Sequence, residues 1–95
     1  APERHPEWPD DLAQIVYVDH YGNALTGLRG ESLSPTMRLA AGGHTIAHAP
    51  TFSAIPPGEA FWYVNSNGLI EIAVNAGRAD RALDLAIGSE IAILE

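Results

Sequence analysis

Residues 61–75 read FWYVNSNGLIEIAVN. Two runs rich in aromatic and β-branched residues, FWYVN and LIEIAVN, flank Ser66-Asn67-Gly68. Such runs fit a pleated, half-buried surface. Asn67-Gly68 can supply the two positive φ angles of a type I′ turn, whose twist suits an antiparallel hairpin. The alternation places Ile70, Ile72 and Val74 on one face of the second strand and Leu69, Glu71, Ala73 and Asn75 on the other. The first set is predicted core. The second set is predicted to line a site or face water.

Working outward, short apolar runs recur between turn residues. Seven strands are predicted, at 14–18, 23–29, 36–40, 44–49, 60–65, 69–75 and 90–94. Short strands at this spacing suggest an all-β barrel or sandwich. Ala41-Gly42-Gly43 is a second tight turn. Pro56 and Pro57 mark 53–58 as a loop outside any ladder. One helix is predicted over 78–86, because Ala79, Ala82, Leu83 and Ala86 fall on one face, with Gly88 as its stop. Residues 1–12, with three prolines and four acids, read as a linker in which Trp8 is a docking anchor. Residues 13–95 are then the single folded domain.

Composition narrows the function. Ninety-five residues suffice for one small core. The chain has no cysteine, so disulfides, thiolate metal sites and a cysteine nucleophile are excluded. Five basic against twelve acidic residues give a formal charge of −7, which disfavours binding to phosphate backbones. No apolar run reaches the ~18 residues of a membrane span. No basic segment with an apolar run opens the chain, and Ala1 in place of Met suggests excision from something longer. A cytoplasmic location is expected. His44 and His48 would share a helix face, but on a strand they stand about 13 Å apart, so no metal site is expected. His5 is expected to be solvated. A triad of Ser66, His20 and Asp19 is not supported, since adjacent Asp19 and His20 point to opposite faces of a strand. No catalytic residue is assigned.

Two polar segments remain. Asp19-His20-Tyr21-Gly22-Asn23 is either an ordinary β-turn or a rim offering a carboxylate, an aromatic face and an amide. Those groups suit a small ligand with a cationic amine, a flat ring and hydrogen-bonding edges. Asn65, Ser66 and Asn67, with Asn75, Ala76 and Gly77 further on, have the same two readings.

Together these segments resemble the SAM hydroxide adenosyltransferase family, the SAM hydrolases, whose relatives are the halide-using fluorinases and chlorinases. VDHYGNALTGL is similar to that family's IDxFGNxxTNI, and NSNGLIEIAVNAGRADRALDLAIGSEIAI to its NSxGxLEIAxNxGxAAxxLGLxxGDxV. Between them, APTFSAIPPGEAFWYVNS is similar to TFxxxxxGxxxxyxNS. The three occur in order across residues 14–94.

The resemblance implies a closed, seven-stranded antiparallel Greek-key β-barrel, the family's C-terminal domain. It also implies a separate N-terminal α/β domain carrying the groups that act on water. The family's reaction converts S-adenosyl-L-methionine (SAM) and water to adenosine and L-methionine, with no cofactor, at sites between subunits of a homotrimer. By the same resemblance Asp19 takes the methionine ammonium, Ser66 its carboxylate, and Asn67 a neutral hydrogen bond where the halogenases have Arg. Tyr21 and Phe52 pack on adenosine, Asn23 bonds an adenine nitrogen, and Asn75 with the Ala76 backbone reads the adenine amine edge. Val74 stands where fluorinases have Arg. One residue fewer between His20 and Tyr21, and Gly27 in the TNI element, favour the hydrolase branch. These 95 residues alone are expected to be inactive. The rival readings are a stand-alone adenosyl-binding module and a trimer-assembly domain.

Overall fold

The computed structural model describes residues 12–30, 33–34, 36–49 and 55–94. The predicted linker as far as residue 11, with His5 and Trp8, and Phe52 lie outside them. The seven predicted strands are all present, as β1 (Leu12–Val18), β2 (Ala24–Arg29), β3 (Arg38–Ala41), β4 (His44–His48), β5 (Ala60–Val64), β6 (Leu69–Val74) and β7 (Ile91–Leu94). A single helical turn, α1 (Ala79–Ala82), precedes β7.

The strands form one sheet in the order β1-β2-β6-β5-β4-β3-β7. Its two edges meet. Gln14 bridges Glu90, the Ile15 N–H donates to the Ser89 carbonyl at 2.8 Å, and the Gly88 N–H donates to the Ile15 carbonyl at 2.7 Å. The sheet is thereby nearly closed into a barrel, which leaves little exposed edge. It is mixed, which corrects the antiparallel expectation: β4 and β5 run parallel, with Ala47 opposite Phe61 and His48 opposite Trp62. Parallel strands need a crossover connection, and eleven residues of sequence separate β4 from β5. The Greek-key expectation is met in part, since β2 to β3 and β6 to β7 both skip across the sheet.

The main core holds Ile15, Ala24, Leu28, Leu39, Ile46, Trp62, Ile70, Ile72, Val74 and Ile91. Ile70, Ile72 and Val74 point inward as predicted. The opposite face of β6 is not open, however. Glu71 and Ala73 are buried, and Ala73 packs with Ala49 and Phe61 in a second cluster edged by Ile55 and Tyr63. Glu71 and Ala73 therefore do not meet water, because Phe61 and its neighbours cover the middle of this face.

One turn prediction holds and the other changes. Gly42 and Gly43 have φ of 58° and 82° between paired Ala41 and His44, so the two-residue, two-positive-φ turn is there. In the β5–β6 hairpin only Gly68 is left-handed, at φ 80°. The Gly68 N–H donates to the Asn65 carbonyl at 2.9 Å, and the Asn65 N–H to the Leu69 carbonyl at 2.8 Å. This is the three-residue form with glycine in the bulge position, not type I′.

The helix also stops early. Asp84 is left-handed at φ 56°, and the Leu85 N–H reaches back to the Asp80 carbonyl at 2.8 Å. That back-bond is the Schellman closure, with aspartate where glycine is usual. Asp84, not Gly88, ends the helix.

The β3–β4 turn backs onto this closure. A Cβ on Gly42 would collide with the Leu83 carbonyl oxygen, whereas one on Gly43 would meet open space. Gly43→Ala is expected to cost about 1–2 kcal/mol for its left-handed backbone. Gly42→Ala is expected to cost about 1–3 kcal/mol more, from the clash. Urea unfolding of the two variants side by side checks the difference.

Candidate functional site

The β1–β2 turn is stapled by Asp19. Its Oδ1 accepts from the N–H groups of Tyr21 and Asn23, both at 2.9 Å. The Asp19 N–H donates to the Asn23 carbonyl and the Gly22 N–H to the Asp19 carbonyl, each at 3.0 Å. Among the described residues no hydrogen bond reaches the second carboxylate oxygen, Oδ2. Tyr21 is 73% exposed and stands edge-on to His20 at 5.4 Å between ring centres. Aspartate in a turn satisfies local amides. Here it does so with one oxygen of the carboxylate.

Arg78 clasps this turn to α1. Its Nε and Nη2 donate to the two Asp80 oxygens at 3.1 and 3.0 Å, and its Nη1 donates to the His20 carbonyl at 3.0 Å. The Asp80 N–H donates to the Gly22 carbonyl at 3.0 Å. The guanidinium hydrogen bond holds the Asp80 carboxyl below the usual carboxylate range. Gly22 is required there. It is left-handed at φ 83°, and a Cβ would lie 2.7 Å from both Arg78 Cβ and Asp80 Oδ1.

Beyond β6 the chain turns through Asn75 and Ala76. The Gly77 N–H donates to the Val74 carbonyl at 3.2 Å. Asn75 is pinned on three sides: its N–H donates to the Glu59 carbonyl at 3.0 Å, its carbonyl accepts from Gly58 at 2.7 Å, and its Nδ2 donates to the Ile55 carbonyl at 2.6 Å. Ala76 is exposed and left-handed at φ 59°, a conformation a non-glycine residue adopts at a cost.

At the other end of β6, Asn65 organises the turn that carries Ser66 and Asn67. Its Oδ1 accepts from the Asn67 N–H at 2.9 Å and the Leu69 N–H at 3.1 Å. Its Nδ2 donates to Glu71 Oε1 at 3.2 Å, and Tyr63 donates its hydroxyl to Glu71 Oε2 at 2.5 Å. A carboxylate only accepts, so Glu71 fixes which way the Asn65 amide faces. Burial, then the Glu71 hydrogen bond, push the Tyr63 phenol well above its usual value. The Asp19 charge also contributes, so Asp19 lies within electrostatic reach of this network.

The pairing of Ala24 with Ile72, and the bond from the Gly30 N–H to the Gly68 carbonyl at 2.7 Å, fix the layout. Asp19, Tyr21 and Asn23 sit toward the end of β6 that carries Asn75 and Ala76. Ser66 and Asn67 sit in the turn at its other end. The structure thus groups the expected site residues into two clusters, one at each end of one strand. His20 and Ser66 fall in different clusters. Among the described residues no group of three His, Asp or Glu could hold a metal ion. His48 instead packs on Trp62 at 4.6 Å between ring centres.

Tyr63, Glu71, Asn65 and Arg78 were not singled out as positioning groups by the sequence. For Glu71 a signal existed, because it is the one acid in an otherwise apolar strand. Next to the Asn65 turn lies a groove of about 550 Å³, lined by Arg29, Gly30, Val64, Asn67, Gly68 and Leu69.

A nearly closed barrel with polar turns at both ends of one internal strand is a small β-barrel domain of definite type. The chain belongs to the SAM hydroxide adenosyltransferase C-terminal domain family, whose model matches residues 13–92. It is 38% identical over 98% of its length to a (R)-S-adenosyl-L-methionine hydrolase of Salinispora arenicola, covering 36% of that protein. It is 33% identical over 85% of its length to the Thermus thermophilus protein of the same name, covering 31% of it. The crystal structure of a conserved hypothetical protein from Thermus thermophilus superposes with a TM-score of 0.77 at 34% identity, over 85% of this chain and 34% of that one. An uncharacterized conserved protein of Thermotoga maritima gives 0.74 at 30% identity, over 85% and 35%. The chain spans about a third of the length of the relatives it matches.

In an alkaline titration followed by ultraviolet absorbance, Tyr63 is expected to ionise well above the usual phenol range. Because the folded-state value of Tyr63 is raised, its contribution to stability is full below pH 10 and declines as the pH rises further. Tyr63→Phe is expected to remove that part of the alkaline loss, measured as midpoint against pH.

Proposed function

We propose that this chain is the ligand-holding C-terminal domain of a SAM hydrolase, acting on SAM and water to give adenosine and L-methionine. Water attack at C5′ falls to the family's N-terminal α/β domain, and the full protein works as a homotrimer with sites between subunits. A sulfonium is already a good leaving group. The main tasks are therefore to hold C5′ in line and to position a desolvated water. SAM is the substrate, and no cofactor is invoked.

In this reading Asn75 and the Ala76 backbone read the adenine amine edge, and Asn23 bonds a ring nitrogen. Tyr21 and Phe52 pack on the adenosine. Asp19 takes the ammonium, Ser66 takes the carboxylate, and Asn67 adds a neutral hydrogen bond, so the methionine end lies between the two turns, over the Tyr63–Glu71 pair that the Asp19 charge reaches. The observation that carries the reading is Ala76, an exposed alanine held left-handed between pinned Asn75 and Gly77. Backbone strain kept at an exposed turn points to a task there, and the turn is one the resemblance independently assigns to adenine.

Adenosine added to the ¹⁵N-labelled chain is expected to move the amide signals of Tyr21, Asn23, Asn75 and Ala76, with weak affinity. SAM is expected to move these and also those of Asp19, Ser66 and Asn67. Asp19→Asn keeps an oxygen to staple the turn and removes the charge. It should leave the adenosine response intact and weaken SAM on the order of tenfold, the scale of a hydrogen bond to a charged group. No movement at saturating adenosine would sink the reading.

A further inference from the structure

The sheet ladder stops short of the two segments that the proposed function places against adenosine. At that end the last paired residues of β2 and β6 are Ala24 and Ile72. Beyond them β2 is entered from the turn with Tyr21 and Asn23, and β6 runs out into the turn with Asn75 and Ala76. Among the described residues, the hydrogen bonds that tie the first turn to the chain after Ala76 are made by Arg78 and Asp80. Arg78 Nη1 donates to the His20 carbonyl, and the Asp80 N–H donates to the Gly22 carbonyl, each at 3.0 Å. The two-point grip of Asp80 on Nε and Nη2 fixes the guanidinium that reaches His20. Gly22 lies directly against the pair, with no room for a Cβ. Residues 20–22 are thereby seated on 78–80, just past Ala76 and Gly77. The family pattern NxGxAAxxLGL leaves the place of Arg78 open and has Ala at that of Asp80. The resemblance therefore assigns neither residue.

We infer that Arg78 and Asp80 are positioning residues for adenosyl binding: they lock the β1–β2 turn to the chain after β6, and so preset the spacing between Tyr21 and Asn23 on one side and Asn75 and Ala76 on the other. They act through those four residues, so the inference rests on the adenosyl reading of them. A flat ring read from two sides needs both sides at one spacing. Where that spacing is free, each binding event must order a turn, and the ordering cost lowers the affinity. One side is braced by the bonds of Asn75 to Ile55, Gly58 and Glu59. The other is braced internally by Asp19 Oδ1. The clasp joins these two braced turns into one body. Arginine suits the task, because its planar fork gives two parallel bonds to a carboxylate and keeps further N–H donors for a carbonyl. Lysine, a compact charge on a flexible stem, lacks that fork.

The test titrates adenosine into the ¹⁵N-labelled parent chain and into Arg78→Gln, Arg78→Lys, Asp80→Ala and Arg38→Gln. Arg38 lies on β3, and its variant controls for the lost charge. Arg78→Gln should weaken adenosine on the order of tenfold. Arg78→Lys should recover only part of that loss, and Arg38→Gln should match the parent. Asp80→Ala puts a good helix former on α1 and keeps the main-chain bond to Gly22. It should fold, and it should weaken adenosine less than Arg78→Gln does. In free Arg78→Gln the Asp80 amide should exchange faster and the Tyr21 to Asn23 signals should broaden. Saturating adenosine should reverse the broadening and bring Asn75 and Ala76 to their positions in the parent complex. A merely structural role gives no such reversal. Parent-like affinity in both Arg78→Gln and Asp80→Ala would overturn the inference and leave the adenosyl reading standing. If Arg78→Gln does not fold, the affinity of Asp80→Ala decides alone. If the parent chain itself does not respond to adenosine, the adenosyl reading fails, and the inference fails with it.

Discussion

The structure depends on β6 being buried on both faces and paired on both edges. Ile70, Ile72 and Val74 enter the main core, while Ala73 is covered by Phe61 and Ala49, and Glu71 is satisfied by Tyr63 and Asn65. β2 and β5 hydrogen-bond along its two sides. A strand held on four sides cannot slide, because a one-residue slip would exchange its faces. Both clusters of site residues hang from its ends, so their separation is set by the rigid length of β6.

The second recurring device is the side-chain amide or carboxylate that bonds the main chain of its own turn. Asp19 holds the β1–β2 turn, Asn65 the β5–β6 turn, and Asn75 the segment from Ile55 to Gly58. Each works as a structural brace beside residues assigned to ligand. The turn reading and the ligand reading of these segments are therefore not rivals. In Asp19 one oxygen alone accepts both turn amides. A ligand group meeting such a turn finds donors and acceptors whose orientation is already fixed, which lowers the ordering cost of binding.

Closure has its own cost. With the barrel edges stitched through Ile15, Gly88 and Ser89, the polar groups of the turns cannot fold inward. They project from the rims, where another domain or subunit could complete a site. That fits a chain matching about a third of its relatives' length.

Much of this was legible locally. Seven strands could be read from runs of aromatic and β-branched residues, because strand formation there follows from side-chain shape and spacing. The inward face of β6 followed from a period of two, and the polar turns followed from Asp, Asn and Gly chemistry that acts within a few residues. The turn types did not follow, since Asn67-Gly68 and Gly42-Gly43 carry similar local signals, and the closure of neighbouring strands decides between them. The helix ended at Asp84 because a Schellman closure formed against the β3–β4 turn, a contact absent from the helical pattern itself. The parallel β4–β5 pair, the covering of Glu71 and Ala73 by Phe61 and Tyr63, and the arrival of Arg29 beside Asn67 all join residues far apart in the chain. By itself the sequence determined which segments extend, which turn and which face is apolar, because those preferences are local. Only the tertiary structure decided which strands lie side by side and which charges meet, because these depend on how the sheet closes.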